Sequence, residues 1–135
     1  RATSSANAFG LLQLLLPTAR TVAKQWRLSS PSREDLFDPE TNLTLGAAYL
    51  HDMIAKWNGS LVLALGSYNV GPQAVERWLP DTPKDAYSCR EKMPYGETRG
   101  YIQRILWHIN VFGWKETGKP QDLSPLLKPI AKSAP

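Results

Sequence analysis

Six consecutive residues near the middle of the chain, Leu61–Gly66, have no polar member. A helix formed from them has no polar face, which predicts a position at the centre of a hydrophobic core. Ser60 is placed to cap this helix. Gly71 and Pro72 then break it and begin another short helix. The rest of the fold must therefore surround a short and wholly buried helix.

A longer helix before it is marked at both ends. Asp38, Pro39 and Glu40 supply an N-cap acid, a proline at the first helical position and an acid in the first turn. Asn58 and Gly59 stop this helix, because glycine tolerates the left-handed conformation that follows a last turn. Apolar residues spaced by three or four positions define one face of the helix: Leu43, Ala47, Leu50, Ile54 and Trp57.

The other apolar stretches are also predicted to be helical. Leu11–Leu16 predicts a helix that is interrupted at Pro17, and Thr18–Trp26 predicts a second. The final clear helix runs from about Thr98, and its inward face is predicted to consist of Tyr101, Ile102, Ile105, Leu106, Ile109 and Phe112. Apolar and polar residues do not alternate for more than a few positions, which leaves room only for a small β-element in the N-terminal part or in residues 80–96.

Length and composition fit one domain followed by a tail. The 135 residues are 42% hydrophobic, which is enough to bury a sizeable core. From about Gly118 the apolar residues lose their period, and the segment contains Pro120, Pro125, Pro129 and Pro135. We predict a mainly α domain over residues 1–117 and a C-terminal tail over residues 118–135.

The charge pattern and the apolar runs limit the partners. The chain has 16 basic and 12 acidic residues and a net charge of +4, and no long run of like charges occurs. We therefore expect no nucleic-acid partner, while a mildly basic surface also suits an anionic polymer such as a cell wall. No run of 18 apolar residues is present, so no transmembrane segment is expected, and no signal peptide is visible.

The histidines and the cysteine predict neither a metal site nor a cofactor. His51 and His108 are the only histidines, and they lack HExxH or any other paired spacing. The single Cys89 cannot form an internal disulfide and would need a histidine beside it to act as a nucleophile. The sequence also contains no Gly-rich phosphate loop. We expect no metal and no cofactor.

Carboxylates remain as candidate functional groups. A carboxyl group in a partly apolar cleft keeps its proton near neutral pH and can cleave a glycosidic bond as a general acid. Glu34 is the first acidic residue, so residues 1–33 offer none. Glu97 lies at the start of the final helix, where it either pairs with Arg99 and backbone amides or faces a cleft.

Three further polar side chains interrupt apolar segments. Tyr68 and Asn69 end the buried helix, where they either satisfy its last backbone groups or line a cleft. Gln13 is a lone amide among leucines. A buried amide needs partners, which are either backbone groups or the hydroxyls of a ligand.

Five short blocks, in order, resemble one known family. Ala2, Ser4, Ala8, Gly10 and Gln13 fit its block A-x-S-x-x-G-A-x-G-L-M-Q-L. Residues 67–72 (SYNVGP) resemble A-Y-N-A-G-P, and residues 94–101 (PYGETRGY) resemble P-[YF]-x-E-T-R-x-Y. Residues 38–42 and 46–50 also match. Over Ala2 to Trp114 the chain resembles the catalytic domain of the soluble lytic transglycosylases, relatives of goose-type lysozyme.

The resemblance implies a lysozyme-like helical fold and a defined reaction. Such enzymes cleave the β-1,4 bond between N-acetylmuramic acid and N-acetylglucosamine in peptidoglycan. One glutamate protonates the leaving oxygen and then activates the muramoyl 6-hydroxyl, which gives a 1,6-anhydro end without water or metal. The implied partner is the peptidoglycan glycan strand, and the implied location is the periplasm or the bacterial cell envelope.

The resemblance also implies roles for individual residues. Tyr68 lies beside the catalytic acid as a supporting residue, Asn69 borders the glycan groove, and the groove is lined by Ser4, Gln13 and Glu97. The family's glutamate lies about fifteen residues before the glycine at position 10, which is six residues upstream of Arg1.

The 135 residues are therefore expected to bind glycan without efficient turnover. Glu97 is not expected to replace the missing acid, because Arg99 beside it favours the ionised form. A non-catalytic module that binds peptidoglycan or chitooligosaccharide is the alternative prediction.

Overall fold

The chain divides into a first unit, Arg1–Asp52, and a second unit, Met53–Pro135. The structure is a computed structural model, and it describes residues 8–10, 12–79, 96–127 and 129–130. No helix in these described parts is both long and apolar enough to cross a membrane.

The first unit begins with a short antiparallel hairpin. Strand β1, Ala8–Phe9, pairs with strand β2, Leu14–Leu15. Phe9 lies opposite Leu14, and Ala8 opposite Leu15. Phe9 and Leu14 are buried, which fixes the register because a slip of one residue would expose both side chains.

The predicted helix over Leu11–Leu16 is wrong, because this hairpin takes its place. Gly10 and Gln13 have positive φ angles of 74° and 51°, which a right-handed helix does not contain. Helix α1, Leu16–Gln25, follows directly and has a proline in its first turn. Pro17 therefore begins this helix rather than interrupting one. The helix predicted over Thr18–Trp26 is confirmed, with an earlier start.

Helix α2, Pro39–Lys56, begins where the sequence predicts. The backbone N–H of Thr41 donates to Asp38 Oδ2 at 2.8 Å, which caps the helix. This hydrogen bond is the main reason that the pKa of Asp38 lies below its ordinary value. The helix is followed by Asn58 and Gly59, whose positive φ angles of 51° and 83° confirm the predicted stop.

The lowered pKa of Asp38 predicts that α2 loses stability in acid. The ionised carboxylate stabilises the folded state fully above the unfolded pKa, near 3.8, and this contribution is lost as the pH falls through the lower folded pKa. Asp38→Asn should reduce stability at pH 7 but change it little below about pH 2. Urea unfolding at several pH values, followed by circular dichroism, measures this. A mutational effect that does not vary with pH would contradict the assignment.

The buried face of α2 differs from the predicted one. Leu43 is 47% exposed and Ala47 is also exposed. The buried residues of the helix are Asn42, Leu45, Gly46, Ala48 and Met53. The Asn42 amide is hydrogen-bonded to backbone carbonyls of the first unit. The buried face of α2 therefore includes Asn42 and is rotated from the predicted face by about 100°, the angle between successive residues of a helix.

The second unit is built around helix α3, Leu61–Val70, whose first seven residues are all buried. This confirms the prediction from the apolar run. Ser60 occupies the N-cap position, but its hydroxyl makes no capping hydrogen bond. Helix α4, Pro72–Trp78, begins directly after Gly71, whose φ of 87° confirms the predicted break.

Helix α5, Gly96–Thr117, packs against α3. Ile102 is fully buried, as predicted, but Phe112 is 60% exposed and does not belong to the inward face. After Gly118 the chain forms a short 3₁₀ turn, Ser124–Leu126. The proposed boundary between a domain over residues 1–117 and a tail over residues 118–135 stays a prediction.

Candidate functional site

Helices α3 and α5 bring Asn69 and Thr98 together. The Thr98 hydroxyl donates a hydrogen bond of 2.7 Å to Oδ1 of Asn69. Thr98 is buried, with 1% of its surface exposed, whereas Asn69 is exposed. The contact joins the last turn of α3 to the first turn of α5. It therefore places the two motifs SYNVGP and PYGETRGY side by side at these residues.

The last turn of α3 is held rigidly. Ser67 is buried, and its hydroxyl oxygen accepts a hydrogen bond of 2.7 Å from the indole N–H of Trp57. Gly71 closes the helix by donating its backbone N–H to the Ser67 carbonyl at 2.8 Å. Because its φ is positive at this point, glycine suits the position. Tyr68 and Asn69 thus extend from a fixed helix end.

Tyr68 and Glu97 flank this contact along the chain. Tyr68 precedes Asn69 and is half-buried, and Glu97 precedes Thr98 and is exposed in the first turn of α5. A carboxylate in the first turn is favoured by the positive end of the helix dipole. Its open surroundings differ from the partly apolar pocket that a general acid needs. The arrangement suits hydrogen bonding to a ligand rather than proton donation.

Gln13 is an exposed turn residue of the first unit, not an amide buried among leucines. Its side-chain Nε2 donates to the Gly10 carbonyl at 2.6 Å, so the backbone supplies a partner. The other hydrogen on Nε2 and the acceptor oxygen Oε1 of the Gln13 amide can still bond to a ligand. Ser4, the other groove residue predicted in this segment, lies outside the described residues.

The predicted site residues thus fall into two groups. Tyr68, Asn69 and Glu97 lie near one another in the second unit, whereas Gln13 belongs to the first unit. The meeting of both groups in one groove remains a prediction. Within the described parts of the chain, no group of three His, Cys, Asp or Glu side chains is arranged to hold a metal ion.

Comparison with known proteins identifies the family. The model of the transglycosylase SLT domain matches residues 1–89 of the 135 in the chain. The chain belongs to the SLT domain family. The predicted membership and the mainly α, lysozyme-like fold are confirmed.

Relatives of this SLT domain are named as lytic murein transglycosylases. A putative soluble lytic murein transglycosylase of Haemophilus influenzae is 37% identical over an alignment of 109 residues, which covers 78% of this chain and 18% of the relative. The soluble lytic murein transglycosylase of Escherichia coli K12 is 32% identical over an alignment of 126 residues, which covers 90% of this chain and 19% of the relative. The chain therefore spans about a fifth of the length of these relatives.

Two solved structures share the fold of this SLT domain. An inactive mutant of the lytic transglycosylase Slt from Pseudomonas aeruginosa superposes with a TM-score of 0.80 and 36% identity, over 94% of this chain and 20% of that one. The 70 kDa soluble lytic transglycosylase from Escherichia coli gives a TM-score of 0.81 and 26% identity, over 95% of this chain and 21% of that one.

Two buried polar residues of this SLT domain were missed by reasoning from sequence. Thr98 lies inside a recognised block, but nothing in the pattern indicates that its hydroxyl is buried against Asn69. Asn42 is fully buried and binds the backbone at Phe9, Leu12 and Leu36. Its place in the block over residues 38–42 was the only signal, since two of its three partners, Phe9 and Leu12, lie 33 and 30 positions away.

Proposed function

We propose that this SLT domain is the greater part of the catalytic domain of a peptidoglycan lytic transglycosylase. Its relatives carry that activity in their names. The observation that supports it most directly in this chain is the contact between Asn69 and Thr98, which joins two polar motifs at the end of a rigid helix. Metal and cofactor have no part in the proposed reaction.

The proposed reaction needs one carboxyl group. As an acid it gives its proton to the glycosidic oxygen while the bond from that oxygen to C1 of the muramoyl residue breaks. As a carboxylate it then takes the proton of the muramoyl 6-hydroxyl, whose oxygen bonds to C1 and closes the anhydro ring. The substrate supplies the nucleophile, so the usual second carboxylate is not required. The acid is the glutamate expected six residues upstream of Arg1.

The residues of this chain would then bind and orient the glycan. Tyr68 supports the acid from the end of α3, and Asn69 borders the groove beside it. Glu97 would supply a further polar contact in the second unit, and Gln13 and Ser4 are proposed as glycan-binding residues of the first. Amides, hydroxyls and exposed carboxylates suit the hydroxyl and acetamido groups of amino sugars, because amides and hydroxyls donate and accept hydrogen bonds and carboxylates accept them.

The proposal places the protein in the bacterial cell envelope, and specifically in the periplasm, where its peptidoglycan substrate lies. Relatives include proteins named soluble and membrane-bound lytic murein transglycosylases. The net charge of +4 agrees with an anionic polymer as the partner.

Digestion of purified sacculi tests the activity. A chain extended upstream through the expected glutamate should release muropeptides that end in 1,6-anhydromuramic acid, each lighter by one water than a hydrolysis product. The 135 residues alone should bind chitooligosaccharide but release product at least about a hundredfold more slowly, because a placed general acid contributes on the order of 10²–10⁴ in rate. Product masses and rates are read by mass spectrometry.

The matched control is the extended chain with that glutamate replaced by glutamine, which should be as slow as the 135 residues. Reducing muramic ends instead of anhydro ends would show a hydrolase and overturn the proposal. Binding without product from the extended chain would favour the alternative of a non-catalytic glycan-binding module.

A further inference from the structure

The orientation of the Asn69 amide follows from its contact with Thr98. An asparagine side chain has an acceptor end, Oδ1, and a donor end, the Nδ2 amino group. The Thr98 hydroxyl donates to Oδ1, so the acceptor end is directed to the buried threonine. Among the described residues the Nδ2 group has no hydrogen-bond partner, and Asn69 is exposed. The donor end is therefore the part of the amide that is available to a ligand.

We propose that Thr98 is a positioning residue that fixes the Asn69 amide with its N–H donors directed towards the glycan. This inference rests on the proposed function. The Asn69 amide then donates hydrogen bonds to the ligand and accepts none from it. The matching ligand atoms are oxygen acceptors, namely the acetamido carbonyl or a hydroxyl oxygen of an N-acetylated sugar.

The surroundings of the pair are rigid enough to hold this orientation. Asn69 extends from α3, whose residues Leu61–Ser67 are buried. Thr98 lies one turn before Ile102, which is fully buried. A Cβ atom built on Gly66 would lie 3.8 Å from Ile102 Cδ1, so the two helices pack closely near the pair. A side chain already held by a hydrogen bond to a packed residue loses little freedom on binding, which makes each hydrogen bond to a ligand more effective.

Three substitutions test separately the N–H donors of Asn69, the hydroxyl of Thr98 that holds the amide, and the shape of the Thr98 side chain. Thr98→Val keeps the shape but removes the hydroxyl, so the amide is free to rotate. Thr98→Ser keeps the hydroxyl and is the conservative rescue. Asn69→Asp keeps an acceptor for Thr98 but removes both N–H donors. Thr117→Val is the matched control, because it removes a hydroxyl at the opposite end of α5.

The experiment is a titration of each variant with chitotetraose, followed by ¹⁵N-HSQC spectra and calorimetry. Loss of one useful hydrogen bond should weaken binding by about five- to tenfold. We expect this loss for Asn69→Asp and for Thr98→Val, and affinity within about twofold of the parent chain for Thr98→Ser and Thr117→Val. The Asn69 NH₂ signals, assigned by their absence in Asn69→Asp, should shift on binding in the parent chain and in Thr98→Ser.

The outcomes distinguish the two proposals. If chitotetraose binds but the Asn69 NH₂ signals do not shift, or if Asn69→Asp binds as the parent does, the positioning role is overturned while the proposed function stands. If the parent chain binds no chitotetraose, both proposals are overturned together. The spectra of the parent and of Asn69→Asp decide the result even if Thr98→Val fails to fold.

Discussion

Gly10→Ala is expected to destabilise the chain by about 2–5 kcal/mol. Gly10 has a φ of 74°, a left-handed conformation that costs a residue with a Cβ atom about 1–2 kcal/mol. The new methyl group would also collide with the Leu36 carbonyl oxygen and the Asn42 side chain. Since one of these is backbone and the other is buried, neither can move freely, and overpacking of this kind costs about 1–3 kcal/mol.

Gly118→Ala is the matched control for this substitution. Gly118 has a similar φ of 71°, but a Cβ atom there would meet nothing within 4 Å. It should cost only the backbone strain of about 1–2 kcal/mol. Urea unfolding of both variants measures the difference, which isolates the collision. Equal costs for the two substitutions would show that the hairpin can move away from the new methyl group.

Local signals in the sequence were sufficient for the buried helix and its limits. The run Leu61–Gly66, the stop at Gly59 and the break at Gly71 each act within a few residues, and the structure confirms all three. Capping of α2 by Asp38 is of the same kind. Such features depend on backbone preferences and on the absence of a polar face, which the sequence displays directly.

The hairpin could not be predicted in this way. Its leucines suit a helix by composition alone, and the turn depends on Asn42, which binds the Leu12 amide from 30 positions away. The same long-range bonds rotate α2, so that Leu43 faces outward and Leu45 inward. Periodicity finds an apolar face but cannot detect a buried amide that competes with it.

The candidate site was predicted in part. Motif resemblance singled out Tyr68, Asn69 and Glu97, and the structure shows their two segments in contact. The motif resemblance gave no indication that the Thr98 hydroxyl holds Asn69, because the burial of a hydroxyl depends on the packing of α5 against α3. The direction of the hydrogen bond, which decides what Asn69 offers a ligand, is likewise a property of the three-dimensional contact.

Asn42→Asp is expected to destabilise the chain by about 3–5 kcal/mol at pH 7, the cost of an uncompensated buried charge. The fully buried amide donates from Nδ2 to the carbonyls of Phe9 at 2.9 Å and Leu36 at 3.0 Å, and accepts from Leu12 N at 2.7 Å. A carboxylate keeps the bond from Leu12 but loses both donors. It would place a negative charge against two carbonyl oxygens without water to screen it.

The pH dependence of the stability loss in Asn42→Asp shows whether the loss comes from the buried charge or from altered packing. Burial and the two carbonyls should raise the folded pKa of the introduced carboxyl group above its unfolded value of about 3.9. The penalty relative to the parent chain should therefore be smallest below about pH 4, where the carboxyl is protonated in both states, and should grow as the pH rises. Urea unfolding of parent and variant at pH 3.5 and pH 7 measures it.

The same chemical change at an exposed position supplies the control. Asn69→Asp should alter stability by less than about 0.5 kcal/mol at either pH, since Asn69 is exposed and its Oδ1 already accepts from Thr98. A penalty at Asn42 that is equal at both pH values would mean that lost packing, not charge, dominates. Equal penalties at the two positions would mean that the Asn42 amide does not hold the hairpin to α2.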